Sequence, residues 1–331
     1  MKIKFNTETL QPMSQWLINR KSHGYGDEKE LRAILSLPDY KVEFDRYSDP
    51  SLPVCGISLE EAVDFFMSFD KKDFENPRLH YKKDSFTAFY NEIEQRMKTI
   101  GRFTALDAED LKLMETLLQN GLPDRLTDEV QELNIILIIS IGNSMGWPYG
   151  HFIDYDAANL DLLESKDDFL HLTAHEIHHL LAGQMLFPDG ITPQDLFLQN
   201  FAYEGLAVHY CNNLATVNKT AKYAGPSYMM DKDDMAFYES HFDEIFNMIR
   251  EDHKACAAKT FDEVKDIVSK YEQFEFMGKG IRQYPTYYFG CYMWGLVDLY
   301  YGKEALYGSL SSPGKFVELY NAIADKKYSF Y

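Results

Sequence analysis

Cysteines are few in this chain, and none is spaced as a metal-binding pair. Cys55, Cys211, Cys256 and Cys291 lie far apart, and no C-x-x-C motif occurs in the 331 residues. This pattern argues against a cysteine-ligated zinc site and against a disulfide framework. We expect free, mostly buried thiols in a reducing compartment.

Positive charge is also scarce, because 33 Lys and Arg stand against 52 Asp and Glu, and the formal net charge is −19. Nucleic acids and anionic membrane surfaces attract cationic proteins, so the charge argues against both as partners. The simplest role of the negative charge is solubility. The alternative is a negative field that attracts cationic substrates.

Long apolar runs are absent. The most apolar tract, residues 287–297, is shorter than the ~18 residues that a transmembrane helix needs. The first residues, MKIKFNTETLQPM, lack the apolar region and the cleavage site of a signal peptide. We therefore expect a protein that does not span a membrane and that is cytoplasmic.

Helix signals are frequent, and one segment carries a strong strand signal. Ser58 and Glu61 fit a capping box, in which each side chain binds a backbone N–H of the other residue. The tract LNIILIISI at 133–141 is a β-branched run of strand length, and a second short strand is predicted at 151–155. Helices are predicted at 27–37, 58–68, 85–100, 108–119, 236–250, 261–274, 284–300 and 313–324.

The segment HLTAHEIHHL contains the motif H-E-x-x-H as His175, Glu176 and His179. Helical residues four positions apart lie on one face, so the two imidazoles can share a zinc ion while the glutamate reaches a metal-bound water. Ser165 and Asp168 fit a capping box that starts this helix. The alternative is a surface helix that carries histidines by chance, but the apolar neighbours favour a buried zinc site.

A third ligand is predicted at Glu204, in the segment NFAYEGLA. The 24 residues between His179 and Glu204 suffice to end one helix, turn, and start a second helix at a capping box that begins with Thr192. A carboxylate among apolar neighbours needs a partner, and no Lys or Arg lies within four residues of it. Gly205 lowers helix stability, which predicts that it serves a close approach of these two helices.

Three protein ligands leave a fourth position for water, which is typical of a catalytic zinc site. Zinc lowers the pKa of such a water, and Glu176 can then accept its proton and pass it to the leaving amine. The sequence thus predicts a zinc hydrolase that acts on peptides or proteins. Among the nearby histidines, His178 is predicted at the surface or behind the ligands, His171 could line the cleft, and His209 could support a ligand. For each of the three, a structural role is the commoner one.

The segments HEIHH and YEGLA together resemble the gluzincin metallopeptidases, which bind zinc through the two histidines of H-E-x-x-H and a glutamate on the next helix. They are most similar to bacterial and archaeal zinc-dependent peptidases with an E-G-L-A type third-ligand motif. The resemblance spans about 165–215, with an echo near 284–295. It implies zinc ligands at His175, His179 and Glu204 and a general base at Glu176.

The sequence departs from the best-known gluzincins in three respects. The spacing between the ligands is longer than in thermolysin-like enzymes. Val208 stands where those enzymes carry an Asp that supports a zinc ligand, and the aminopeptidase motif G-x-M-E-N is missing. The resemblance therefore implies neither an exopeptidase nor a thermolysin-like specificity.

Related peptidases often hold the oxyanion with a Tyr or His from a later helix. In the segment YPTYYFGCYMW at 284–294, the resemblance points to Tyr288 for this catalytic role, with Tyr287 as the second candidate. The alternative is an aromatic core helix, because Tyr284, Tyr288 and Tyr292 fall on one stripe.

The resemblance also implies a mixed sheet whose edge strand binds the substrate, and a helical C-terminal part that closes the cleft. Together with the helix and strand signals, it predicts an α+β fold that is mostly α-helical, with a small mixed sheet next to a zinc-binding helix pair. Three regions are predicted. They are a helical N-terminal region at 1–125, a zinc-binding catalytic core at 126–215 and a helical C-terminal region at 216–331.

Two other functions share part of this pattern. Peptide deformylase also uses an H-E-x-x-H helix, but it needs a Cys ligand in an upstream E-G-C-L motif, which this sequence lacks. The second alternative is a catalytically silent, zinc-containing binding or scaffold protein. An intact Glu176 argues against it, because only catalysis requires this carboxylate.

Overall fold

The computed structural model of the chain describes residues 2–50, 56–123, 126, 132–142, 146–160, 163, 165–183, 190–212 and 230–330. These residues form an α+β fold that is mostly helical, as the sequence predicts. The chain divides into two compact units, one of residues 1–111 and 130–169 and the other of residues 112–129 and 170–331. The three consecutive regions predicted from the sequence stay a prediction.

The first unit contains a mixed sheet. Its four described strands are β1 (Lys2–Asn6), β2 (Glu132–Ile138), β3 (Gly146–Tyr149) and β4 (Phe152–Asp156), in the spatial order β1-β2-β4-β3. Strand β2 runs parallel to β1 and to β4, and β3 pairs antiparallel with β4. The predicted strands at 133–141 and 151–155 are confirmed, although the first of them ends at Ile138. Strand β2 is buried from Ile135 to Ile138, which explains its continuous apolar sequence.

Helices make up most of the described residues of both units. In chain order they are α1 (Leu10–His23), α2 (Glu28–Leu35), α3 (Pro38–Ser48), α4 (Leu59–Ser68), α5 (Pro77–Asn91), α6 (Ile93–Phe103), α7 (Ala108–Gly121), α8 (Ala157–Leu160), α9 (Lys166–Ala182), α10 (Pro193–Ala207), α11 (Lys232–Ser240), α12 (Phe242–Cys256), α13 (Phe261–Ser269), α14 (Pro285–Tyr301), α15 (Lys303–Leu310) and α16 (Lys315–Ile323). A two-stranded hairpin, β5 (Glu275–Phe276) and β6 (Lys279–Gly280), precedes α14.

Most predicted helices are present, but two are broken. The predicted helix at 85–100 is α5 and α6, because the backbone at Glu92 leaves the helical conformation, with φ −117° and ψ 16°. The predicted helix at 236–250 is α11 and α12, which break at His241 with φ −109° and ψ 19°. Helices α1, α3, α8 and α15 are not among the predicted ones.

The two helices that carry the predicted ligands start where the sequence predicts. Helix α9 begins after Ser165, whose hydroxyl accepts a hydrogen bond from the N–H of Asp168 at 3.2 Å. Helix α10 begins with a complete capping box of Thr192 and Asp195, and with Pro193 in its first turn. These caps determine where each helix begins, and thereby how many turns separate its first residue from the ligand residues.

Gly205 allows a close approach of two helices, but the partner of α10 is α14. A Cβ atom on Gly205 would lie 2.2 Å from the carbonyl carbon of Gly290, and a Cβ on Gly290 would lie 2.1 Å from the carbonyl oxygen of Phe201. The predicted close approach at Gly205 is therefore present, but it joins α10 to α14 and not to the other ligand helix, α9.

The described helices and cysteines test two further predictions. Within the described part of the chain, no helix is both long and apolar enough to cross a bilayer. Cys211, Cys256 and Cys291 are buried free thiols, as the sequence predicts. Cys55 lies outside the described residues.

Candidate metal centre

Three side chains from two successive helices of the second unit meet at one point. His175 and His179 project from α9, and their ring planes are nearly perpendicular, with the ring centroids 4.4 Å apart. Glu204 projects from α10, and its Oε2 lies 3.3 Å from Nε2 of each histidine. The structure thus brings together the three residues that the sequence predicts as zinc ligands.

The spacing of these atoms fits a metal ion. Ligand atoms about 2.0–2.1 Å from a tetrahedral zinc ion lie about 3.3 Å from one another, the separation seen between Glu204 and each histidine. Within the described ranges, this trio is the group whose possible ligand atoms all lie within 4.8 Å of one another. Oε2 of Glu204 is buried and has no hydrogen-bond partner among the described residues, a costly state that a bound cation would relieve.

The three side chains of the trio shift one another's pKa values. Burial opposes ionisation of Glu204, but the neighbouring histidines hold its pKa well below its usual range. Burial lowers the pKa of His179. Burial also acts to lower the pKa of His175, but the attraction of Glu204 outweighs it and raises the value. An ionised carboxylate beside two imidazoles is the donor set of a catalytic zinc site.

Asn212 orients one of the ligands. Helix α10 continues into a π-helical turn, Val208–Asn212, and the Oδ1 of Asn212 accepts a hydrogen bond from Nδ1 of His175 at 2.5 Å. This bond leaves the lone pair of Nε2 available on the side of Glu204. Such a partner orients a metal ligand and strengthens metal binding. Asn212 is not among the residues predicted from the sequence, because only the π-helical turn brings it to His175, and no sequence spacing indicates that turn.

Two further histidines of α9 are bound within the fold. Nδ1 of His171 donates a hydrogen bond to the carbonyl oxygen of Cys211. Nε2 of His178 donates to the Tyr307 hydroxyl at 2.8 Å, and this hydroxyl donates to the carbonyl oxygen of Gly121 at 2.6 Å. Burial lowers the pKa of His178 well below its usual value, and the residue is 1% exposed, so of its two predicted positions the one at the surface is wrong. These bonds fix the rotation of α9 about its axis.

His209 pairs with Asp298 of α14. Its Nε2 lies 3.0 Å from Oδ2 of the carboxylate. Burial acts to lower the pKa of His209, but the hydrogen bond to Asp298 outweighs it and raises the pKa to about 9. His209 therefore ties the π-helical turn to α14, and its described ion pair is with Asp298 rather than with a zinc ligand.

This ion pair predicts a pH dependence of stability. A histidine in the unfolded chain has a pKa of about 6.5, so the stabilisation by His209 is fully present below that pH and is lost as the pH rises through about 9. We expect the free energy of unfolding of the metal-free protein to fall by about 1–3 kcal/mol over this window. Asp298→Asn should flatten the decrease in urea unfolding series between pH 6 and 10. An equally steep decrease in the variant would contradict the assignment.

Glu176 lies beside the trio and is not part of it. Its side chain is partly exposed, whereas the two ligand histidines are buried. Its negative charge contributes to the raised pKa of His175 and of Tyr203 and Tyr287, which places it within electrostatic reach of the metal position. A carboxylate at this place can exchange protons with a molecule bound at the trio.

A tyrosine stacks on each ligand histidine. The ring of Tyr203 is parallel to that of His179, with centroids 4.0 Å apart, and the ring of Tyr287 is parallel to that of His175 at 6.0 Å. Burial, followed by the charges of the nearby carboxylates, raises the pKa of Tyr287 well above its usual value. Its hydroxyl therefore stays protonated and can donate a hydrogen bond at the site.

Tyr288, the first candidate for the oxyanion, faces an aromatic cluster. Its ring is 2% exposed and packs against Phe289, Tyr238 and Phe242 with centroid distances of 5.2, 5.7 and 6.2 Å. Neighbouring helical residues point about 100° apart, so Tyr287 and Tyr288 cannot share one face. The structure places Tyr287, the second candidate, against a ligand histidine. The catalytic role of Tyr288 stays a prediction.

Comparison with known proteins identifies a family to which this chain belongs. The family model described as "Putative zinc dependent peptidase (DUF5700)" matches residues 39–329, a range that includes every residue of the trio and its surroundings. Neither the curated proteins nor the solved structures give a match to this chain.

Proposed function

Because the chain belongs to the DUF5700 family, whose description is that of zinc-dependent peptidases, we propose that it is a gluzincin-type peptidase that hydrolyses peptides or partly unfolded proteins. The observation that carries this proposal is the trio of His175, His179 and Glu204, with both His–Glu ligand-atom separations at 3.3 Å. A zinc ion held there would activate a water molecule and polarise the scissile carbonyl. The buried free thiols fit a reducing compartment, for which we propose the cytoplasm.

Residues around the metal position have three further roles, which are proton transfer, orientation of a ligand and supply of negative charge. Glu176 accepts a proton from the attacking water and delivers it to the leaving amine, a transfer that its partial exposure beside the trio permits. Asn212 keeps His175 in the tautomer that presents Nε2 to the metal position. The low pKa of Glu204 keeps it an anionic ligand over the whole physiological pH range.

The ligand assignment predicts a graded loss of zinc. We expect about one zinc per wild-type chain, none in His175→Ala or Glu204→Ala, and a zinc affinity about 10–100-fold weaker in Asn212→Ala, which removes only the orienting partner. Elemental analysis and competition with a chelator measure both quantities. A peptide-library cleavage assay of the zinc-loaded protein tests the activity itself. Full zinc occupancy in either ligand variant would remove the assignment.

For the oxyanion we propose Tyr287, whose ring lies against His175 and whose hydroxyl stays protonated. A phenol there adds a hydrogen-bond donor without a new charge. Tyr287→Phe should lower kcat by about 10²-fold and leave zinc content unchanged. Tyr288→Phe, the matched change one residue along the helix, tests the rival assignment. A large loss of kcat in Tyr288→Phe with none in Tyr287→Phe would restore the first candidate.

A further inference from the structure

A row of aromatic rings leads from the metal position to the protein surface. Tyr287 stacks on His175, and its ring centroid lies 6.3 Å from that of Tyr284. The Tyr284 ring in turn lies 5.4 Å from that of Phe274. Phe274 is 70% exposed, whereas large apolar side chains are usually covered. The row therefore forms a wall whose inner end is at a ligand and whose outer end is open to solvent.

The outer end of this wall is held in place by the hairpin. The carbonyl oxygen of Phe274 accepts a hydrogen bond from the N–H of Ile281 at 2.9 Å, which closes the segment around β5 and β6. The turn itself uses Met277 and Gly278 at positive φ, 52° and 76°. The exposed ring is thus presented by a closed hairpin, so that a ligand does not have to order a loose segment first.

A carboxylate accompanies the aromatic wall. Glu272 precedes Phe274 by two residues and is solvent exposed. Enough protein surrounds its carboxylate to raise its pKa, and the charge of Glu204 raises it further. Burial raises the pKa of Tyr284, and the charges of Glu272 and then of Glu204 raise it further, so both carboxylates act on the same ring. An ammonium or guanidinium ion binds well where an aromatic ring face and a carboxylate lie close together.

We propose that Glu272, Phe274 and Tyr284 form a subsite for a basic side chain of the substrate, next to the bond that is cleaved. This inference rests on the proposed peptidase function and adds its substrate class. An apolar side chain would contact the rings but would gain nothing from the charge of the Glu272 carboxylate. A lysine or arginine side chain uses both, with its stem against the rings and its charge at the carboxylate. The net charge of −19 acts in the same direction, because it attracts cationic peptides.

Binding of two matched inhibitors tests this subsite without turnover. One is a short peptide hydroxamate that carries arginine beside the metal-binding group, and the other carries citrulline, which has the same shape and no charge. We expect the zinc-loaded wild-type protein to bind the arginine compound at least about tenfold more tightly by calorimetry. Glu272→Gln should bring the ratio close to one, and Glu275→Gln, an exposed carboxylate three residues away, should keep it.

Substitution of the ring separates the two parts of the subsite. Phe274→Ala should weaken both compounds, and the arginine compound by about threefold to thirtyfold, because it loses the aromatic face beneath the cation. Equal binding of the two compounds by the wild type, or an unchanged ratio in Glu272→Gln, overturns the subsite while leaving the peptidase proposal intact. Binding that is the same with and without zinc overturns the proposed metal site. Absence of binding by either compound to zinc-loaded protein overturns both.

Discussion

Glu176→Gln is expected to lower kcat for peptide hydrolysis by about 10²–10⁴-fold while the zinc content stays at the wild-type value. The amide has the shape of the carboxylate but cannot accept a proton at neutral pH. Glu176 lies beside the trio without belonging to it, so its replacement leaves all three ligands in place. The measurement is steady-state hydrolysis of a peptide found in the library assay, together with elemental analysis of the same preparation.

The control for this experiment is Glu251→Gln, which removes one exposed carboxylate from α12. It should retain both zinc and activity. Wild-type turnover by Glu176→Gln would mean that another group is the base. Zinc binding without turnover in the wild-type protein itself would favour the alternative of a catalytically silent binding protein.

Gly290→Ala is expected to produce a large loss of stability although it adds only one methyl group. The new Cβ would lie 2.1 Å from the carbonyl oxygen of Phe201 and 2.8 Å from the Cα of Gly205, so α10 and α14 must move apart. We expect a loss of about 3 kcal/mol or more in the free energy of unfolding, since these atoms are backbone and cannot rotate away. Zinc affinity should fall as well, because Glu204 adjoins the displaced contact. Urea unfolding and chelator competition measure the two effects.

Gly308→Ala in α15 is the matched control. No atom lies within 4 Å of its added Cβ, and its backbone has no positive φ, so the change should be neutral or stabilise the protein by about 0.5–1 kcal/mol. If Gly290→Ala unfolds at the same urea concentration as the wild type, the two helices do not make the close contact seen at Gly205.

The sequence by itself determined the parts of the site that depend on short stretches of chain. Two histidines four residues apart on a helix share one face whatever surrounds them, so H-E-x-x-H identified His175 and His179 before any tertiary contact was known. The capping boxes at Ser58 and Thr192 are likewise local, because each is made by residues three positions apart. The β-branched run of β2 likewise indicated a buried strand, because strand propensity depends on a short stretch of sequence.

Only the tertiary structure decided how distant segments are turned toward the metal position. The rotation of α14 about its axis presents Tyr287 and not Tyr288 to His175, and the aromatic sequence of that helix is compatible with either. The π-helical turn after α10 supplies Asn212, and packing on α14 gives Gly205 its partner. In each case the deciding contact joins residues far apart in the chain. Local spacing predicts which residues share a face, whereas the packing of whole helices decides what that face meets.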